Sequence, residues 1–209
     1  MKIDFNSGAH RGFSLVADAC WFGILWAVCS LPVVTAGAST AALCRMCFSL
    51  KEDKATGTGA FFRAFRENFR QATVIWLLEL ATVVTLLGSR VLLRTLPPAA
   101  AVGANGAWVL FFVLSSVLFF YAIPTAAYFA NSTWNTLKNA FVFGMHRPLT
   151  LLPMAVTAAI PLGMLLYMTD LFIFFLPLWI MVWPGLAAYA DCLIIRKTFL
   201  PFVPQEAAE

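Results

Sequence analysis

TLPPAAAVGANGAWVLFFVLSSVLFFYAIPTAAYFANSTWNTL, residues 95–137, contains no Asp, Glu, Lys or Arg. A water-facing surface cannot be built from so long an uncharged run, because charged side chains are what a soluble domain turns outward. A helix of roughly 20 apolar residues, by contrast, crosses a hydrocarbon core about 30 Å thick. The stretch therefore reads as a membrane span with uncharged flanks. Residues 19–44, 148–169 and 171–190 are also free of charge, and residues 72–89 are interrupted only by Glu79.

No alternating apolar–polar pattern of the kind a membrane β-barrel needs is present. The polar interruptions are too short for an aqueous domain. The expected fold is all-α: one polytopic transmembrane helical bundle over residues 1–209. Its expected spans are residues 16–44 (kinked at Pro32), 72–94, 107–130, 149–168 and 171–190. An interfacial helix is expected over 60–71 and a short tail over 198–209.

Composition agrees. Hydrophobic residues make up 61% and charged residues 11% of the chain, with a formal net charge of +4. Soluble domains carry about 25% charged residues, so a soluble enzyme is excluded. The same figures exclude a disordered chain, and no basic stripe is long enough to track nucleic acid. The apolar run after Arg11 is longer than a signal-peptide core and has Asp18 near its start, so it reads as an uncleaved first helix.

Lys and Arg set the expected orientation. Arg45, Lys51, Lys54, Arg63, Arg66 and Arg70 cluster in one connection, which is expected to be cytoplasmic. Lys138 with Arg147, and Arg196 with Lys197, join that side if the later segments cross singly, making the C-terminus cytoplasmic. The first segment has two readings. A single long helix kinked at Pro32 gives five spans and an external N-terminus. A chain that turns back near Pro32 gives five spans plus a short re-entrant piece and an internal N-terminus. The intervals Pro32…Ser39, Pro124…Asn131 and Pro184…Asp191 hint at three equivalent kinked helices, which favours the first reading.

Three features could carry function. In Cys29–Leu43, Pro32 removes a backbone donor and Gly37 presents a small face; freed carbonyls must then find partners such as Ser39 or Thr40. Either a broken helix lining a site or a tight helix–helix seam fits this pattern. In Ala60–Gln71, Phe61, Phe65 and Phe69 recur every four residues while Arg63, Arg66 and Arg70 occupy other faces. That describes an amphipathic helix at the membrane surface, which anchors the chain in lipid or docks a cytoplasmic partner. Glu79 lies nine residues past Arg70, about 13 Å deep at 1.5 Å per residue. An acid at that depth marks an ion pathway or is hydrogen-bonded to a neighbour.

Motifs for chemistry are lacking. Cys44 and Cys47 have redox-motif spacing without its context, His10 and His146 form no metal pattern, and no phosphate-binding loop or nucleophile elbow occurs. No catalytic, cofactor-binding or metal-ligating residue is assigned.

Leu25–Leu43 (LWAVCSLPVVTAGASTAAL) and Phe61–Leu77 (FFRAFRENFRQATVIWL), with the charged linker between them, resemble the YesL-like family of bacterial membrane proteins, a family of unknown function. Pro32, Thr35, Gly37, Ser39, Thr40, Phe65, Asn68 and Phe69 are similar to its motif. The resemblance implies a multi-pass protein of the bacterial inner membrane associated with carbohydrate utilisation, often alongside sugar ABC transporters. It transfers no catalytic residue. The expected function is a non-enzymatic accessory or regulatory membrane protein that docks a partner, such as a sugar ABC transporter, through Ala60–Gln71. The rival is a small-solute transporter or channel subunit using its Pro-kinked helices. Membrane lipid and a second copy of the chain are further expected partners; nucleic acid is not.

Overall fold

The computed structural model describes residues 8–52, 54, 56–93, 95, 97–129 and 131–202. Those residues form eight α-helices and, among them, no strand: α1 (Gly8–Cys29), α2 (Ala36–Lys51), α3 (Thr58–Leu93), α4 (Pro98–Tyr128), α5 (Thr133–His146), α6 (Leu151–Tyr167), α7 (Thr169–Phe174) and α8 (Leu176–Phe199). Among the described residues, six segments are long and apolar enough to cross a membrane: Gly12–Cys29, Val33–Lys51, Thr58–Ser89, Pro98–Tyr128, Pro148–Tyr167 and Leu176–Phe202. The chain is an all-α polytopic helical bundle. Many large apolar side chains face outward, among them Val102, Leu114, Leu166 and Phe174. A lipid-embedded surface has that character, since lipid exerts no pressure to hide apolar groups.

The expected single helix over 16–44 is a hairpin instead. Helix α1 ends at Cys29, a short 3₁₀ turn covers Val33–Thr35, and α2 begins at Ala36. Trp26 Nε1 donates to Thr40 Oγ1 at 2.9 Å, and the Ser30 and Ser39 hydroxyls meet at 2.5 Å. Fourteen residues of continuous helix would hold Trp26 and Thr40 about 21 Å apart, so the chain reverses at Pro32. The expectation failed because α2 was measured only to its first charge, Arg45. In the structure α2 continues past Arg45, whose Nη1 donates to the carbonyls of Ala127 (3.0 Å) and Tyr128 (3.4 Å) at the end of α4. A guanidinium on the last carbonyls of a helix satisfies orphan acceptors and opposes the negative end of its dipole. A base so placed does not end a span.

The separate interfacial helix expected over 60–71 is the first third of α3, a single helix from Thr58 to Leu93. No proline interrupts it. Its first turns have an apolar neighbour inside the protein: Phe61 is fully buried and stacks on Phe22 of α1, with ring centroids 6.4 Å apart. Besides the six-residue α7, the helix that does not span is α5, about 21 Å long. It buries Thr136, Ala140 and Phe143 and exposes Trp134 and Phe141. Gln71 Nε2 on α3 donates to Thr136 Oγ1 at 2.6 Å and ties α5 to the bundle.

Other boundaries also differ from the expected ones. Helix α4 begins at Pro98, nine residues before the expected start at 107; proline at the first helical position costs no hydrogen bond. Helix α8 begins at Leu176 and runs through Asp191, Arg196 and Lys197 to Phe199. Thr198 and Phe199 are buried, so the expected tail over 198–209 is helical and packed at its start; residues 203–209 lie outside the described residues. Pro124, Pro161 and Pro184 sit inside helices, whereas Pro32 lies in the turn, so the three expected kinked helices are not equivalent.

Candidate functional site

The first candidate segment resolves into turn chemistry. Where α1 stops, the Thr35 hydroxyl reaches the Cys29 carbonyl at 2.6 Å and the Pro32 carbonyl at 2.8 Å, giving acceptors left by the break a partner. Ser39 and Thr40 bond back to the Ala36 carbonyl, at 2.9 and 2.7 Å. Gly37 faces α3, where an added Cβ would lie 2.4 Å from Trp76 Cβ and 2.5 Å from the Ala72 carbonyl oxygen. Of the motif residues Pro32, Thr35, Gly37, Ser39 and Thr40, only Thr40 reaches a cavity; the others build the turn and the α2–α3 seam.

That cavity holds about 340 Å³ among α1, α2, α4, α6 and α8. Its walls are mostly apolar, with Trp26, Phe119, Phe120, Trp183 and Met154 among them; Pro124, Pro161 and Pro184 also face it. Each proline deletes the hydrogen bond to the carbonyl four residues earlier, and two of the residues so affected, Phe120 and Thr157, line the same space. Asp191 of α8 projects into it. Thr157 Oγ1 of α6 donates to the Asp191 carboxylate, at 2.9 Å from Oδ2 and 3.2 Å from Oδ1. Among the described residues no cation pairs with Asp191.

In the sequence Asp191 stands just past the uncharged run 171–190, the expected end of the last span. Its interval from Pro184 was noticed, but read as topology. The usable signal was helical spacing: Pro184, Ala187, Ala188 and Asp191 fall at i, i+3, i+4 and i+7, a single face of one helix.

The start of α3 forms the second candidate region. Arg63, Arg66, Phe69 and Arg70 are exposed there, as is Phe62, while Phe61 and Ala64 are buried and Phe65 is half-buried. Phe65 and Phe69 meet edge to face at 5.5 Å. The stripe Phe61–Phe65–Phe69 is thus divided, its first ring enclosed by protein and its last free.

Glu79 is 9% exposed, and its Oε1 accepts a 2.7 Å hydrogen bond from Ser116 Oγ of α4. Among the described residues no second acid or base pairs with it, and Glu79 is not among the cavity's lining residues. Cys44 and Cys47 gain a neighbour in Cys192, whose Sγ lies 3.8 Å from the Cys44 carbonyl oxygen; all three are buried. Among the described residues no three His, Cys, Asp or Glu side chains are grouped to hold a metal ion.

Residues 20–89 match the family model described as "Protein of unknown function, DUF624". The matched region comprises the C-terminal part of α1, the turn, α2 and α3 as far as Ser89. No curated protein and no solved structure matches the chain.

Proposed function

From a chain that carries this family's region, a feature shared with the YesL-like proteins, we propose an accessory or regulatory role in the bacterial inner membrane, without catalysis, exercised by docking a partner. The observation that carries this reading is the exposed face at the start of α3. Phe62, Arg63, Arg66, Phe69 and Arg70 stand outward there on a helix held rigidly from behind through Phe61. Exposed aromatics interleaved with arginines are the composition that interface centres favour. Their charge calls for an acidic partner surface.

The distribution of bases supports a cytoplasmic location for this face. If all six segments cross, Lys51, Lys54, Arg63, Arg66, Arg70, Lys138, Arg147, Arg196 and Lys197 share one side with both termini. The resemblance supplies the class of partner, a component of sugar uptake such as an ABC transporter. A photo-crosslinking amino acid at Phe62 or Phe69 tests the assignment in intact cells. Adducts with a transporter component, missing when the same group replaces Leu31 in the α1–α2 turn, are the expected result. Adducts with lipid alone, while the transporter remains assembled, would overturn it.

The cavity favours a second reading, a small-solute transporter or channel subunit. Solute flux through the purified protein in liposomes, lost when Ala158 is replaced by Phe, would support that reading over docking.

A further inference from the structure

We propose that the cavity around Asp191 is a binding site for a small organic cation: an ammonium group carried on an apolar or aromatic body. The proposal stands apart from partner docking, and binding does not require transport.

Three observations converge on this ligand class. The space is large enough for a small organic molecule, about 340 Å³, and is bounded chiefly by apolar and aromatic side chains. Its polar groups are weighted toward acceptors. The Asp191 carboxylate can accept about four hydrogen bonds, yet among the described residues only Thr157 donates to it. The hydroxyls facing it are committed: Thr157 to Asp191 and the Met154 carbonyl, Thr40 to the Ala36 carbonyl. The Trp26 indole N–H is committed to Thr40. A ligand that brings positive charge finds the carboxylate; one that brings further acceptors finds, beyond these committed groups, only the indole N–H of Trp183.

The walls complete the match. Trp26, Trp183, Phe119 and Phe120 all line the space, and aromatic faces attract cations most strongly where water is excluded. A saccharide fits poorly. Each buried hydroxyl left without a partner costs about 1–3 kcal/mol, and the few polar groups lining this cavity cannot serve a polyhydroxyl ring. The ligand of this site is therefore chemically distinct from the sugars implied by the resemblance.

Benzylammonium and its uncharged carbon isostere, ethylbenzene, separate charge recognition from simple apolar filling. Binding is measured on the full chain in nanodiscs by quenching of tryptophan fluorescence, with empty nanodiscs correcting for partition into lipid. The cation is expected to bind at least tenfold more tightly than the isostere. Asp191→Asn is expected to erase that preference, and Ala158→Phe, which fills the space, to abolish binding of both. Thr157→Val controls for loss of the α6–α8 link; it should keep the preference for the cation. Should Asp191→Asn fail to fold, the cation–isostere comparison and Ala158→Phe still decide the matter. Equal binding of the two probes, no binding of the cation, or a preference that survives Asp191→Asn would each overturn the proposal.

Discussion

Glu52 shows how much a single carboxylate at the membrane boundary can join. Lys54 Nζ lies 2.6 Å from its Oε2, Tyr128 OH donates to Oε1 at 3.2 Å, and Arg196 Nε stands 3.7 Å away, within ion-pair range but too far for a hydrogen bond. These contacts bring together the ends of α2, α4 and α8. Burial raises the carboxyl's proton affinity, but the hydrogen bond and charge of Lys54, with help from Tyr128 and Arg196, outweigh it and hold Glu52 below the usual carboxylate range. A depressed folded-state value means that the stabilisation is present above the unfolded-state value and is lost as pH falls through the folded one. Glu52→Gln should therefore lower the unfolding free energy at pH 7, by under about 1 kcal/mol because solvent screens the pair. The two proteins should converge as pH falls from the unfolded-state range, about 4.3, through the lower folded-state one; a gap that persists once the carboxyl is protonated would show that packing, not charge, carries the effect. Glu79 allows a test of one contact. Its contact is an interhelical hydrogen bond with Ser116, worth about 0.6–2 kcal/mol in a membrane. Ser116→Ala should cost that much, and the same substitution in a Glu79→Leu background should cost almost nothing further, as read from a double-mutant cycle of unfolding free energies.

At the scale of helices, close approach is written in glycine. A Cβ added to Gly185 of α8 would lie 1.8 Å from the Ala19 carbonyl oxygen of α1, and one on Gly23 would lie 2.8 Å from the Gly185 backbone nitrogen. Backbone atoms cannot swing aside, so Gly185→Ala must force α1 and α8 apart, at about 1–3 kcal/mol. Gly12→Ala, where an added Cβ meets nothing within 4 Å, is the matched control; thermal unfolding in detergent should separate the two by several degrees. Much of the α2–α3 seam was legible, since Gly37 stands in a run of small residues that admits a second helix. The α1–α8 seam was not, although Ala19 and Gly23 have the four-residue spacing of small residues that lets transmembrane backbones meet. Where helices run on past a charge, their ends were misread for one physical reason. Uncharged runs measure the lipid core, whereas helices extend beyond it wherever a base finds carbonyls, as Arg45 does, or an acid finds a hydroxyl, as Asp191 does. The same error hid the cavity. An acid placed just past the end of a span is not sought on the face of a helix.

Across the whole molecule, the reversal at Pro32 changes the parity of the chain. Five crossings put the two ends on opposite faces; six return them to one. The expected preference for five rested on the intervals after Pro32, Pro124 and Pro184, and it dissolves once Pro32 lies in a turn and Val33–Lys51 is long and apolar enough to cross. Parity has a consequence for charge as well: on six crossings Arg11 joins the bases of the 45–70 segment, so every cluster of Lys and Arg outside the α3–α4 connection obeys a single sidedness. Single cysteines at Gly12, Gly57 and Ala99, in a background lacking the part-buried Cys20 and Cys29, test this with a thiol reagent that does not cross membranes. Six crossings require that Gly12→Cys and Gly57→Cys react only after the cells are opened, and that Ala99→Cys react in intact cells. Reaction of Gly12→Cys from outside while Gly57→Cys stays protected would mean that the α1–α2 pair crosses only once, as the kinked-helix reading requires. Leu31→Cys then fixes the depth of the turn. The native Leu31 is 79% exposed in the bundle, so protection of the new thiol would have to come from lipid, making the pair re-entrant; labelling from outside would make it a full double crossing.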